Sequence, residues 1–305
     1  MQQIPKEMFQ PASVDLSEAE KISKPSLSFW KDVSIRFRKN KLAMFGLVLL
    51  FILVFMAIFG PMMTPHDYRT NDLINTNKPP SAEHWFGTDD LGRDIFARTW
   101  YGARISLFIG VAAALIDLFI GVLWGGIAAF RGGRTDEVMM RIADILWGVP
   151  YLLLVILLMV VLEQGLGTMI LAMTITGWIN MARIVRGQVL QLKNQEYVLA
   201  AQTLGASTSR IMFRHLIPNT MGPILVTMTL TIPSAIFTEA FLSYLGLGVP
   251  QPLASWGTMA SDGVSALQYY PWRLFFPATM ICLTIFAFNV VGDGLRDALD
   301  PRLRK

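Results

Sequence analysis

Residues 42–60 read LAMFGLVLLFILVFMAIFG, a run with no ionisable group that stops at Pro61. A helix needs ~20 predominantly apolar residues to cross the hydrocarbon core of a bilayer. The run is also an uncharged block longer than a core helix needs. Some forty partly charged residues precede it, with no small-residue cleavage site before the chain continues. It is therefore expected to be a retained span and not a removed signal peptide.

Five further runs of the same kind follow: residues 105–130, interrupted only by Asp117; 145–162; 165–182, set off by a hinge at Glu163 and Gln164; about 220–237; and 274–292. The expectation is an all-α membrane protein with six transmembrane helices. Charged residues make up 16% of the chain against ~25% in soluble domains, which argues against a soluble enzyme. The lone Cys282 rules out an intrachain disulfide or a Cys-based zinc site.

Six spans put both ends of the chain on one side. Twenty of the 26 Lys and Arg residues then fall in the segments that share that side. Short cytoplasmic loops carry the excess of Lys and Arg, so both termini are expected in the cytoplasm. Residues 1–28, polar and punctuated by Pro5, Pro11 and Pro25, are expected to form a mobile cytoplasmic tail. Over residues 29–41, Phe29, Trp30, Val33, Ile35 and Phe37 alternate with basic residues. That pattern predicts an interfacial helix leading into the first span, together residues 29–60. Residues 61–104 are expected outside the membrane. Residues 105–292 are expected to form a five-helix core containing the cytoplasmic loop 183–219, and residues 293–305 a cytoplasmic tail.

The inner loop reads RIVRGQVLQLKNQEYVLAAQTLGASTSRIMFRHLIPN, long for a connector and too well patterned for disorder. Residues 196–204 are good helix formers, and Gly205 follows as a C′ stop. Ser207 is placed to cap a second helix through Arg210, Ile211, Met212 and Arg214, which Pro218 is expected to end. The result is a helix–glycine–helix hairpin. The paired Ala200 and Ala201 are expected to lower the bulk of one face so that another surface can approach, and with Ile211, Met212 and Phe213 as apolar anchors beside basic residues they mark it as a docking element. The alternative is a loop that packs only on its own bundle.

Asp117 lies mid-span, where an ionisable group is a functional candidate by default. It is the candidate pathway residue, and the alternative is a buried hydrogen-bond partner for a neighbouring helix. Glu163 and Glu239 fall near span ends and are expected to meet water or headgroups. Gly121 and Gly125 form G-x3-G, read as a helix-packing device. On the outer side, His84 with Asp89, Asp90 and Asp94 beside Trp85, Phe86 and Gly87 is expected to fold as a lid at a pore mouth; a metal cluster is the alternative. None of His66, His84 and His215 sits in H-E-x-x-H, and no G-x4-G-K-[ST] phosphate loop occurs. Residues 205–209, GASTS, lack the second glycine of a nucleophile elbow. No catalytic residue, metal site or nucleic-acid surface is assigned.

The stretches YVLAAQTLGAS (197–207) and RHLIPN (214–219) resemble the cytoplasmic loop of binding-protein-dependent ABC importer permeases. That loop reads EAA, three residues, Gly, nine residues, Ile-x-Leu-Pro. Ala200, Ala201, Gly205 and Pro218 fall on this spacing. Leu199 stands at the family's glutamate position and His215 at its isoleucine, with Glu196 one turn earlier as the candidate for the glutamate's role. The blocks FRKNKLAMFGLVLL, HWFGTDDLGRDIFARTWYGARISL, EAFLSYLGLGVPQPLASWGTM and GDGLRDALDPR are similar to C-type subunits of the oligopeptide and dipeptide permeases.

The resemblance implies a MetI-like bundle whose cytoplasmic hairpin couples to an ATPase through Glu196, Ala200, Ala201, Gly205, Ser207, Arg210, Arg214, His215 and Pro218. It implies a second, B-type permease subunit, two ABC ATPase subunits and an extracytoplasmic peptide-binding protein as partners. This chain would bind no cofactor, ATP and Mg being used by the ATPases. The implied activity is ATP-driven oligopeptide import across a bacterial plasma membrane. A dipeptide or nickel importer is the related alternative. A secondary transporter or membrane scaffold is the alternative from another class; inverted repeats and several intramembrane charges, expected of the former, are not seen in the sequence.

Overall fold

The computed structural model describes residues 28–300. The expected tail thus lies, up to residue 27, outside the described residues, as do 301–305. The described chain is almost wholly helical. Helix α1 (Phe29–Lys39) is followed after Asn40 by α2 (Lys41–Phe59), whose first turn Asn40 caps by accepting from the Leu42 and Ala43 amides. After a long loop come α3 (Ile95–Arg131), α4 (Gly133–Gly148), α5 (Tyr151–Val161) and α6 (Leu166–Leu192). The hairpin helices α7 (Glu196–Thr203) and α8 (Thr208–Ile211) lead through a π-turn, Met212–Leu216, into α9 (Ile217–Leu242). Helices α10 (Trp256–Ala266) and α11 (Trp272–Leu299) complete the chain.

Five of these segments are long and apolar enough to cross a membrane: Lys41–Met62, Ile95–Arg131, Leu166–Leu192, Thr208–Leu247 and Trp272–Leu299. The pair α4 and α5 is the sixth if counted as one span, but it is bent by 82°. The continuous third span expected over 145–162 is therefore broken. Pro150 ends the first helix at Gly148 because the residue before a proline is pushed out of the helical region; Val149 is extended, with ψ 129°.

The other spans outrun the apolar windows that mark them in sequence. Helix α3 starts ten residues early because the Asp94 side chain caps it, accepting from Ala97 N at 2.7 Å. At ~1.5 Å per residue its 37 residues span ~55 Å, well beyond a ~30 Å hydrocarbon layer, and it carries residues buried within the protein from its first turn to Ala129. Helix α6 runs through Arg183 and Arg186 to Leu192, into the stretch expected to be loop. Those charges are paired: Arg186 donates two bonds to Asp136, at 2.6 and 2.7 Å, and Arg183 one to Asp144 at 2.9 Å. Helix α11 likewise continues to Leu299, so 293–299 is not a tail. Its end packs with Val33 of α1 through Ala298 and Leu299, which brings the first and last described helices to one end of the bundle.

Helices α3 and α6 form the tightest pairing. A Cβ at Gly121 would lie 2.6 Å from Met181 Cβ, and one at Gly125 would collide with the Ala182 carbonyl. Small residues permit this approach where lipid supplies no hydrophobic drive between helices.

Candidate functional site

Two places concentrate the sequence-predicted residues. The first is the hairpin between α6 and α9. Helix α7 ends in a Schellman motif: the Gly205 amide donates to Gln202 O at 2.9 Å and the Ala206 amide to Ala201 O at 3.0 Å. Gly205 adopts φ +79°, the left-handed region open to glycine at little cost. Ser207 then accepts from Arg210 N at 3.3 Å and caps α8. Val198, Ile211, Met212 and Leu216 are buried, and all but Met212 belong to the cluster that includes Val185, Val189 and Ile224. The hairpin thus rests on the extended foot of α6, itself held by the Arg186–Asp136 pair and by Lys193 Nζ donating to Ala129 O at 2.9 Å.

Several expectations change here. Ile211 and Met212 are not outward anchors: they fill the interface with the bundle, and Phe213 alone of the three is exposed. Ala200 and Ala201 do not share a face, since neighbours on a helix lie ~100° apart; Ala200 points outward and Ala201 packs inward. Pro218 does not end a helix. It lies in the first turn of α9, directly after the π-turn, where the shifted bonding spares it the clash a proline makes inside an α-helix. The outward surface is formed by Tyr197, Leu199, Ala200, Leu204, Phe213, Arg210 and Arg214, with Leu204 at the tip 88% exposed. Glu196 and Ser207 are exposed beside it, and the half-buried His215 ring lies 6.5 Å from that of Tyr197.

The second place is a cavity of about 460 Å³ among α3, α4, α5, α6 and α9, lined by Asp117, Tyr151, Gly177, Asn180, Thr231 and Thr238 among others. Asp117 is buried, and its Oδ1 has no hydrogen-bond partner. Both carboxylate oxygens lie too close to the position of a Cβ on Gly177 to tolerate one, so a side chain at 177 would displace them.

Glu239, expected at water or headgroups, is fully buried. Helix α9 continues to Leu242, so position 239 is interior. Its carboxylate accepts from Ser255 Oγ at 2.6 Å, Ser243 Oγ at 2.9 Å and Ser106 Oγ at 3.3 Å. Ser106 Oγ also accepts from the Trp256 amide, and Trp256 Nε1 donates to Thr99 O. This network fixes α10 against α3 and α9. Its partners lie up to 157 positions apart in sequence, and no local pattern announces them.

Of the three acids grouped with His84, Asp94 stays beside it and the other two turn to arginines. His84 Nδ1 and Asp94 pair at 2.8 Å, Asp89 pairs with Arg93 and Arg98, and Asp90 with Arg273. His66 comes to His84 and Asp94 instead, their ligating atoms within 4.8 Å. In α10, burial pushes the Asp262 carboxyl up from its ordinary range, against the pull of Arg98.

Five or six candidate spans, with a helical hairpin on the foot of α6 and a cavity among α3, α4, α5, α6 and α9, are the frame of a multi-pass membrane protein. Residues 121–305 match the family described as the binding-protein-dependent transport system inner membrane component, and 28–80 match the N-terminal TM domain of oligopeptide transport permease C. The chain is 75% identical over its whole length, and the relative's, to the oligopeptide transport system permease protein OppC of Bacillus subtilis. It is 60% identical to the dipeptide transport system permease protein DppC of the same organism, over 99% of this chain and 95% of the relative. An inward-facing structure of the MetNI methionine ABC transporter shares the fold, with a TM-score of 0.55 at 16% identity over 67% of this chain and 96% of the other. The chain belongs to the oligopeptide permease C-subunit family of ABC importer permeases, and is a multi-pass membrane protein.

Proposed function

We propose that this permease translocates oligopeptides across a bacterial plasma membrane, and that the hairpin of residues 196–218 docks in one of two separate ATPase subunits. The observation that carries the docking is the outward face of the hairpin. Tyr197, Leu199, Leu204 and Phe213 stand in solvent on an element whose other face is anchored to the foot of α6. Exposed apolar residues beside Arg210 and Arg214, on a rigid support, suit a protein partner.

ATP-driven closure of the ATPases would move the hairpin, and the Arg186–Asp136 and Lys193–Ala129 contacts would carry that motion into α3, α4 and α6. Coupling of this kind requires ATP and substrate each to favour one of two states. A second, B-type permease subunit completes the pathway, and an extracytoplasmic peptide-binding protein delivers substrate. ATP and Mg are used by the ATPases, and no cofactor is assigned to this chain. The distribution of Lys and Arg supports both termini, with the hairpin, on the cytoplasmic side.

Gly205→Trp tests the docking. A bulky side chain at a positive-φ apex distorts the hairpin tip and leaves the spans untouched. The variant is expected to insert in the membrane at normal levels and to lose co-purification of the ATPase. Normal recovery of the ATPase with Gly205→Trp would contradict the reading.

A further inference from the structure

Helix α9 carries four hydroxyl residues on one face, Thr227, Thr231, Ser234 and Thr238, and all four line the cavity that holds Asp117. Their spacing of three and four positions stacks them in a single column along the helix. Each hydroxyl donates inside the helix: Thr227 to Pro223 O at 2.8 Å, Thr231 to Thr227 O at 2.9 Å, Ser234 to Leu230 O at 3.1 Å and Thr238 to Ser234 O at 2.8 Å. With the proton so committed, what each hydroxyl offers the cavity is its lone pairs. The column is a run of acceptors with few donors.

Across it stands Asp117, buried and with Oδ1 unpartnered. Among the described residues, no Lys, Arg or His lines this cavity. A carboxylate kept inside a membrane bundle with nothing to offset it is costly. An acceptor column that shares its cavity with a carboxylate is complementary to a ligand rich in N–H donors that carries a positive charge. The volume, about 460 Å³, lies within the ~300–1,000 Å³ of sites that take small ligands.

We infer that this cavity is a station on the transport path that receives the ammonium group of a peptide on Asp117, with the Thr227–Thr238 column accepting from the peptide's backbone N–H groups. The inference rests on the oligopeptide reading above for the identity of its ligand. It adds a selectivity of the permease itself, separate from that of any binding protein. Gly177 serves the site by leaving room for the carboxylate against α6.

The test uses the assembled permease–ATPase complex in proteoliposomes without the extracytoplasmic binding protein, whose own selectivity would mask the effect. Cys282, exposed in the structure, is first replaced by Ser, and Thr231→Cys supplies the probe. A trimethylammonium methanethiosulfonate should label Cys at 231 on the order of tenfold faster than the sulfonate reagent of similar size, because a charged cleft concentrates counter-ions. Asp117→Asn should bring the two rates together. Tri-alanine should protect the cysteine and N-acetyl-tri-alanine should not, with the difference lost in Asp117→Asn.

Failure of the trimethylammonium reagent to reach position 231 in every nucleotide state would overturn the inference. So would equal protection by the two peptides, or a difference that survives Asp117→Asn. If charge-selective labelling holds but the complete system with its binding protein imports no peptide, the oligopeptide reading falls while the cation-selective cavity stands.

Discussion

Asp117 and Glu239 are both carboxylates buried within the helical bundle, and the protein treats them in opposite ways. Glu239 receives three serine hydroxyls, from α3, the C-terminal cap of α9 and the N-terminal cap of α10, and sits where no solvent reaches it. Asp117 has an oxygen with no partner and borders a cavity. A buried acceptor that is fully met holds a structure together, whereas one left unmet carries an energetic debt that a ligand can settle. On this contrast Glu239 belongs to the architecture at the junction of α3, α9 and α10, and Asp117 to the cavity inferred above to receive a ligand.

The sharpest way to break the contrast is Glu239→Ala. It strands three buried hydroxyls and opens a void at the junction of α3, α9 and α10, and should cost about 3 kcal/mol or more. A clear fall in the thermal unfolding midpoint of the detergent-purified complex is expected, and an unchanged midpoint would reduce the network to ornament. Next in size is Gly125→Val, which drives a side chain into the Ala182 carbonyl of α6. Overpacking of this kind costs typically ~1–3 kcal/mol, read as a smaller loss of midpoint with a matching loss of assembled complex. Asp117→Asn should cost the least: it removes a charge from a buried site without removing a bond there, so the midpoint should hold or rise slightly.

The spans were legible because membrane crossing leaves a signature in single residues, and residues 42–60 carry it without exception. What lay beyond was a matter of pairing. Arg183 and Arg186 read locally as the start of a loop, yet Asp144 and Asp136 meet them and the helix goes on. The break at Val149 and Pro150 hides in a run that is apolar on both sides, so hydropathy passes over it.

In the hairpin, Gly205 and Ser207 announce their roles because capping is local chemistry. Pro218 misleads because a π-turn just before it changes the register of the backbone bonds. Ile211 and Met212 could not be told from Phe213 by composition, since which side faces the bundle depends on the angle at which α8 leaves the turn. Glu239 was invisible for a plainer reason, its donors Ser106 and Ser255 being brought to it only by the finished fold.

The contrast between the two carboxylates is tested most directly by measuring the unfolding midpoint and ATP-driven oligopeptide uptake of Asp117→Asn on the same preparation of the complete transporter. The expected result is a midpoint equal to or above that of the unaltered protein, with uptake per assembled complex reduced about tenfold, the loss of ~1.4 kcal/mol of interaction with the passing ligand. A lowered midpoint with uptake per complex unchanged would make Asp117 a structural residue like Glu239, and would contradict the account.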